Sequence, residues 1–386
     1  MLHARAEAPA AAALLGEHRL RMVLRADGHG FTRVEPLPRR ASQAHRLLIG
    51  RTAQQALALL PTLYPVGGIA HRAAAAAAIS SWNDESGRGV ASDPRPLLLE
   101  RLREHLLPLH RDWPLCMAVA PSAQTLQSIE QLLRTLDSPR AEPHAQSALH
   151  ELVEGRSLGM PAREFLQIDD AASLLHWARA NEHLSPARFL AWLAWQPLAL
   201  ARASLPRALQ PPSPRELARH LLGPASDEFE AYPQWQGLCR ETGPWASQSQ
   251  HPLLRDLSRD GAEPSSALLA RFAARLLDLA QALLAWNEQA APARAVQAAA
   301  GVGMVHTARG LLAHGIELDH AGRIARCVIL APAQWNFHPQ GTAPELLRSI
   351  AWTTPRQVAQ TASLVACAVD PFVRCDFALP GTGLQG

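Results

Sequence analysis

The sequence predicts a mainly α fold with small antiparallel β parts, an α+β arrangement in which helices carry most of the core. Three observations point there. Ala, Leu and Arg dominate the composition and aromatic residues make up only 5% of it, a mixture built from the strongest helix formers. Apolar residues recur at helical spacing in several long stretches, most regularly over residues 265–286. Strand-like runs joined by a glycine-containing turn occur at two places, one near each end of the chain. With 386 residues the chain can bury one large core or two ordinary ones.

Residues 18–35 read as the first hairpin. Leu20, Met22 and Leu24 alternate with arginines, Phe31-Thr32-Arg33-Val34 alternates again, and Asp27-Gly28-His29-Gly30 supplies the turn before Pro36 and Pro38 close the unit. Ser42 is placed to cap a helix running through Leu47, Leu48 and residues 53–60 until Pro61 stops it. The loop Tyr64-Pro65-Val66-Gly67-Gly68-Ile69-Ala70-His71 leads into an alanine-rich helix from Arg72 to about Trp82. Residues 94–107, 123–136, 171–181 and 186–201 each read as helices, the third following Asp169-Asp170, which suits both the cap and the positive end of the helix dipole. Residues 206–261 are rich in Pro, Ser and Gly and read as an irregular, partly exposed excursion in which Tyr232, Trp235, Cys239 and Trp245 supply groups that pack. Leu268, Leu269, Phe272, Leu276, Leu279, Leu283 and Trp286 then form one apolar stripe, a core face and not a cofactor-binding one. From Val302 the character changes: residues 310–318 and 323–330 are strand-like and joined by Asp319-His320-Ala321-Gly322, the second hairpin. Helices at 345–351 and 356–369 follow, and proline stops the last of them at Asp370-Pro371.

All 37 residues counted as Lys or Arg are arginines. The absence of lysine excludes the phosphate-binding lysine of P-loop hydrolases, Schiff-base catalysis and protein-kinase chemistry. The net charge of +3 is small and dispersed, so neither nucleic acid nor an anionic membrane surface is an expected partner. Residues 1–15 lack a basic cluster followed by a long apolar run, so they do not read as a signal peptide. The apolar run at 189–201 is broken by Gln196 and Pro197 and is too short to span a bilayer. A soluble cytoplasmic protein is expected. Its five cysteines are scattered and odd in number, which argues against a disulfide framework, and no Cys-x-x-Cys offers a structural zinc site.

The stretch Asp370-Pro371-Phe372-Val373-Arg374-Cys375 resembles the C-terminal Asp-Pro-Cys-x-x-Cys signature of the nickel–iron hydrogenase large subunit, with Phe372 at the first cysteine and Cys375 at the second. Upstream, His306-Thr307-Ala308-Arg309-Gly310, His314, Gly322 and Ala331-Pro332-Ala333-Gln334-Trp335-Asn336 resemble, in order, that family's Glu-Ala-Pro-Arg-Gly, its histidine, its glycine turn and its Pro-Thr-Thr-Trp-Asn. Phe337-His338-Pro339-Gln340-Gly341 replaces the family's acidic ending, Ser-Pro-Arg-Asp. Residues 39–51 resemble its arginine-rich approach to the first cysteine loop. In that loop the family has Cys-x-x-Cys, three residues, then His. Anchoring on His71 and Ala74 sets Tyr64 and Gly67 at the two cysteines, and a shifted register sets Gly67 and Ala70 there.

The resemblance implies a helical core like that of the large subunit, spread over residues 1–386 as one domain: a hairpin at 18–36, helices at 40–204, an excursion at 205–262, a long helix at 263–290, and a hairpin with the cofactor-type motif at 302–386. In the family, four thiolates hold nickel and an iron carrying cyanide and carbon monoxide. Here Cys375, a bridging-type ligand, is the one retained, and a nickel centre needs several soft ligands. The glutamate that opens the arginine motif is His306 here. This pattern is similar to the hydrogenase accessory proteins of the HupK/HoxV type, degenerate paralogues of the large subunit. It implies a non-catalytic scaffold or chaperone in hydrogenase maturation that transiently holds Fe(CN)2CO, carries no nickel, and meets the large-subunit precursor, maturation chaperones and iron-cofactor assembly proteins. The residues it assigns to cargo are Arg309, Asp370, Cys375 and His71. Cys375 would be a transient iron ligand, and Cys367 either a second soft ligand or core. His71 reads either as a residue supporting the site or as a helix-start histidine bonded to backbone, and Cys327 as core. Two other functions stay open: a metal-free interaction protein for the same partners, and a metal-dependent enzyme, for which the ligands are missing.

Overall fold

The structure, a computed structural model, describes residues 19–26, 31–36, 43–82, 93–138, 143–196, 198, 205–259, 266–288, 296–350, 354–370 and 374–378, with the strands at 19–26, 31–36 and 374–378 described as backbone. The expected turn at 27–30, the Ser42 cap, Pro371 and Phe372 lie outside the described residues.

The first hairpin forms as predicted, β1 (Arg19–Ala26) antiparallel to β2 (Phe31–Pro36) with Val23 opposite Glu35. The single helix expected next is two pieces, a 3-10 turn over Gln43–Leu48 and α1 (Ala53–Leu63), separated at Gly50 by a left-handed φ of 77°. Thr52 caps α1 reciprocally: its hydroxyl accepts from the Gln55 amide while the Gln55 side chain accepts from the Thr52 amide. Pro61 does not stop this helix but sits in its last turn. Helix α2 (Gly68–Ser80) starts earlier than expected because Gly67, at φ 75°, supplies a left-handed cap.

Helix α3 (Arg95–Cys116) runs well past the expected end at residue 107 and contains Pro108 and Pro114. Leu102, Leu106, Leu109 and Trp113 are fully buried along it, so packing outweighs the hydrogen bond that Pro108 forfeits. Then come α4 (Ala123–Asp137), α5 (Pro143–His150) continuing into a π turn at Glu151–Leu158, and the short α6 (Ala162–Phe165). Helix α7 (Ala171–Ala180) is capped by Asp170, whose carboxylate accepts from the Ser173 amide at 2.7 Å. Helix α8 (Ser185–Ala194) ends sooner than residue 201, just before Gln196 and Pro197.

The irregular stretch holds β3 (Arg207–Ala208), α9 (Pro214–Leu221), α10 (Ser226–Ala231), β4 (Arg240–Glu241), α11 (Pro244–Ser247) and α12 (Pro252–Leu257). Trp235 is buried, whereas Tyr232 is exposed. Helix α13 (Ser266–Asn287) is the axis of the largest core cluster, and every member of its predicted stripe is buried.

The second hairpin also forms, but as half of a four-stranded antiparallel sheet: β5 (Val296–Ala299), β6 (Val302–Thr307), β7 (Gly310–Leu318) and β8 (Ile324–Leu330), in that order. Both faces of this sheet are covered. Val305, Leu312, Ile316 and Cys327 pack on α1 and α2, while Met304, Leu311, Ala313 and Val328 pack on Leu217, Leu221 and Trp335. Cys327 is core, as expected. The chain finishes with α14 (Pro332–Asn336), α15 (Thr342–Arg348), α16 (Pro355–Val369) and β9 (Arg374–Ala378). The mainly α class with small antiparallel sheets holds, and β9 adds what sequence patterning did not reveal: it lies parallel to β1, with Cys375 opposite Leu20.

Candidate functional site

Five elements converge on a buried cluster of charge. Glu100 and Glu104 stand one turn apart on α3, so they share a face. Glu100 accepts from the amides of Ile69 and Ala70 at 2.9 and 2.8 Å, so its carboxylate sits on the first turn of α2. Glu104 faces Arg309, with Oε2 2.9 Å from Nη1, and Arg309 Nε lies 3.0 Å from Asp370 Oδ2. Arg275 on α13 donates to the same Asp370 oxygen at 2.7 Å. It also donates to the main-chain carbonyl of Glu104 at 3.2 Å. That carbonyl is the acceptor Pro108 cannot use, because proline has no amide hydrogen to bond four residues back.

Local chemistry fixes each member. Arg309 rides the turn between β6 and β7, where its amide donates to the Thr307 hydroxyl at 3.1 Å and that hydroxyl donates to the Gly310 carbonyl at 2.9 Å. Gly310 has φ 126°, and a Cβ there would stand 2.7 Å from the Gly243 nitrogen, so only glycine lets the two loops meet. Asn336 ties the second loop down: its amide oxygen accepts from the Thr242 amide and its nitrogen donates to the Thr242 carbonyl, at 2.9 and 2.8 Å. The Trp335-Asn336 motif is thus a latch beneath the Arg309 turn. Asp370 caps α16 in a left-handed conformation, φ 49°, which turns the chain toward β9.

The electrostatics are uneven. Burial raises Glu104 to about 7 against the pull of Arg309, with the charges of Glu100 and Asp370 adding to the rise. Burial would raise Asp370 too, but Arg309 and Arg275 outweigh it and hold the carboxyl down to about 2. One buried oxygen of Glu104, Oε1, has no hydrogen-bond partner among the described residues.

Of the residues predicted from sequence, Arg309 and Asp370 are brought into direct contact. The backbone of Cys375 is placed on β9, five residues beyond Asp370, and its side chain lies outside the described residues. Among the described residues, the His71 ring pairs through Nδ1 with His314 Nε2 at 2.9 Å and stacks on Tyr64 at 3.9 Å. Burial pushes His71 down to about 3 and His314 well below the usual imidazole range, so both rings are neutral. Cys367, one turn before Asp370 on α16, neighbours Cys116; that neighbouring thiol and burial push its own thiol well up. Among the described residues, no group of three or more His, Cys, Asp or Glu is arranged to hold a metal ion, and no helix is long and apolar enough to cross a membrane.

Sequence reasoning missed Glu100, Glu104 and Arg275. A signal was there: Arg271, Arg275 and Asp278 recur at helical spacing inside the long helix that carries the apolar stripe. All three are buried and paired, Arg271 with Glu241 at 2.9 Å and Asp278 with both Arg101 and His105.

No family model matches the chain. It is 32% identical over 360 residues to the hydrogenase expression/formation protein HoxV of Cupriavidus necator, covering 86% of this chain and 90% of that protein. It is 30% identical over 314 residues to the hydrogenase expression/formation protein HupK of Azotobacter vinelandii, covering 79% and 81%. Among solved structures, it superposes on the Ni-Fe-Se hydrogenase of D. vulgaris Hildenborough with a TM-score of 0.52 and 15% identity, over 90% of this chain and 94% of that one. The fold is therefore that of nickel–iron hydrogenase large subunits.

Proposed function

The chain belongs to the HoxV/HupK family of hydrogenase expression/formation proteins, and on that premise we propose that it is a non-catalytic scaffold of hydrogenase maturation that transiently holds Fe(CN)2CO for the large subunit. The observation that carries this reading is the unsatisfied, buried Glu104 oxygen beside Arg309. A carboxyl that titrates near neutrality can take up a proton, release the guanidinium toward an anionic guest and offer its own O–H to it. Cyanide nitrogens are acceptors of that kind. Cys375 supplies the thiolate that the resemblance assigns to iron. A single thiolate with hydrogen bonds holds cargo loosely, which suits a carrier that must let go. The partners on this reading are the large-subunit precursor, the maturation chaperones and the iron-cofactor assembly proteins.

The test is the infrared spectrum, in the carbon monoxide and cyanide stretching region, of protein purified anaerobically with its maturation partners. Bands are expected in the wild type and not in Cys375→Ala, and Arg309→Gln should shift the cyanide bands. Absence of bands, or bands unchanged in Cys375→Ala, removes the carrier role.

One observation favours a second reading, a metal-free interaction protein for the same partners. Arg309 and Arg275 both already face Asp370, and Arg309 faces Glu104 as well, so each guanidinium has a partner within the chain. On that reading a complementation assay finds maturation intact in Cys375→Ala and lost on deletion of the protein.

A further inference from the structure

The irregular excursion carries Cys239 to the connection between α14 and α15, where it meets His338, in the segment that replaces the large subunit's acidic ending. Cys239 Sγ lies 3.0 Å from His338 Nδ1. The imidazole is held in one orientation. The Gln340 amide donates to Nδ1 at 3.0 Å, the edge of Tyr232 meets the ring with centroids 5.9 Å apart, and the Gly341 amide donates to the His338 carbonyl. Because Nδ1 accepts from a backbone amide, it carries the lone pair and Nε2 carries the proton of the neutral ring. The thiol therefore faces a base.

His338 is buried at 6% exposure, whereas Cys239 is only partly buried and is flanked by Leu238 and Tyr232, 55% and 56% exposed. The hairpin Trp235-Gln236-Gly237-Leu238, with positive φ at Gln236 and Gly237, presents the cysteine at the surface. A tetrahedral metal is a poor occupant. Sulfur and nitrogen ligands at ~2.3 and ~2.0 Å from zinc stand roughly 3.5 Å apart, wider than the observed pair.

We propose that Cys239 and His338 form a thiol–imidazole pair that undergoes exchange with small-molecule disulfides, making Cys239 a site of reversible thiolation. In the step, Cys239 Sγ attacks one sulfur of a disulfide RSSR. The Sγ–H bond breaks as its proton passes to His338 Nδ1 and displaces the Gln340 amide from that lone pair, the new Cys239–SR bond forms and the S–S bond breaks. The leaving RS⁻ takes the proton back from the imidazolium, so one disulfide and one thiol become another disulfide and another thiol. The charged groups around the pair are Glu345, held by Arg348, and Arg240, which is turned to the Trp235 carbonyl. Burial and Glu345 raise the Cys239 thiol, and burial lowers His338, so the resting pair is neutral and the imidazole acts as a general base. None of Glu104, Arg309, Asp370 or Cys375 takes part, so the proposal stands apart from the carrier reading.

The experiment reacts the reduced full-length protein with a pyridyl disulfide, follows release of the pyridinethione, and maps the labelled peptide by mass spectrometry. Cys239 should label first, and Cys239→Ser should lose the fast phase. The wild-type rate should be flat across neutral pH, where thiol and base coexist. His338→Gln should be about 10-fold slower or more at pH 7 and should climb with hydroxide, the behaviour of an unassisted thiol. If His338→Gln does not fold, the wild-type pH profile alone decides. A wild-type rate that climbs with hydroxide through neutral pH, or a fast label on another cysteine, overturns the proposal.

Discussion

Glu104 is a carboxyl whose folded state favours the proton. Its unfolded value of 4.5 rises to about 7, so ionisation of the unfolded chain begins while the folded group is still neutral. Its contribution is therefore complete below 4.5 and is lost as pH rises toward 7, by about 3 kcal/mol. His71, His105 and His110 act in the opposite sense. Burial lowers them to about 3, 4 and 4, so the stability they confer is present above the ordinary imidazole value and is lost as pH falls. A total pH profile would mix the two, and the difference between wild type and Glu104→Gln separates them. Measured by urea unfolding, Glu104→Gln should gain on the wild type by about 3 kcal/mol between pH 4.5 and 7. A constant difference would mean that Glu104 is ionised throughout. Arg309 and Asp370 were legible in the sequence because a family signature surrounds each. Glu104 and Arg275 were not, since their partners stand on other elements and no local pattern links them.

At the scale of elements, the contact of α2 with the four-stranded sheet depends on an absent side chain. A Cβ at Gly303 would stand 2.6 Å from the Ala78 nitrogen and closer still to the Ala74 carbonyl, both backbone atoms that cannot rotate away. Gly303→Ala should therefore cost about 3 kcal/mol or more, seen as a lowered Tm or loss of soluble protein. A change below about 0.5 kcal/mol would show that α2 can lift off the sheet without penalty. Both hairpins were readable from alternation and turn residues, and α13 from its stripe. The end of α3 was misread because Pro108 is a local stop signal overruled by buried Leu106, Leu109 and Trp113. The same proline frees the Glu104 carbonyl that Arg275 binds, so a residue that looks like punctuation helps set the position of a charge.

Over the whole molecule, β9 joins the first described strand to the last in a parallel pair. Deleting residues 371–386 should leave the amides of α13 protected from hydrogen exchange. Those of β1 should exchange to within about tenfold of an unstructured chain. Equal loss of protection in α13 would mean that the C-terminal strand holds the helical core together as well. This pairing escaped the sequence because period-two patterning identifies a strand but not its distant neighbour, and the short run at 374–378 has no turn to announce it.

That pairing also sets a timetable. A ribosome working at roughly 5–20 residues per second needs on the order of half a minute to go from β1 to β9. During that interval the hairpin keeps an open edge, and Arg275 and Arg309 wait for the carboxylate of Asp370. The charge cluster is thus completed late in synthesis, just before β9 reaches the edge of β1. A chain that stops before Asp370 leaves the outer edge of β1 open and Arg275 and Arg309 without the carboxylate they share, so Arg309 has to lean on Glu104.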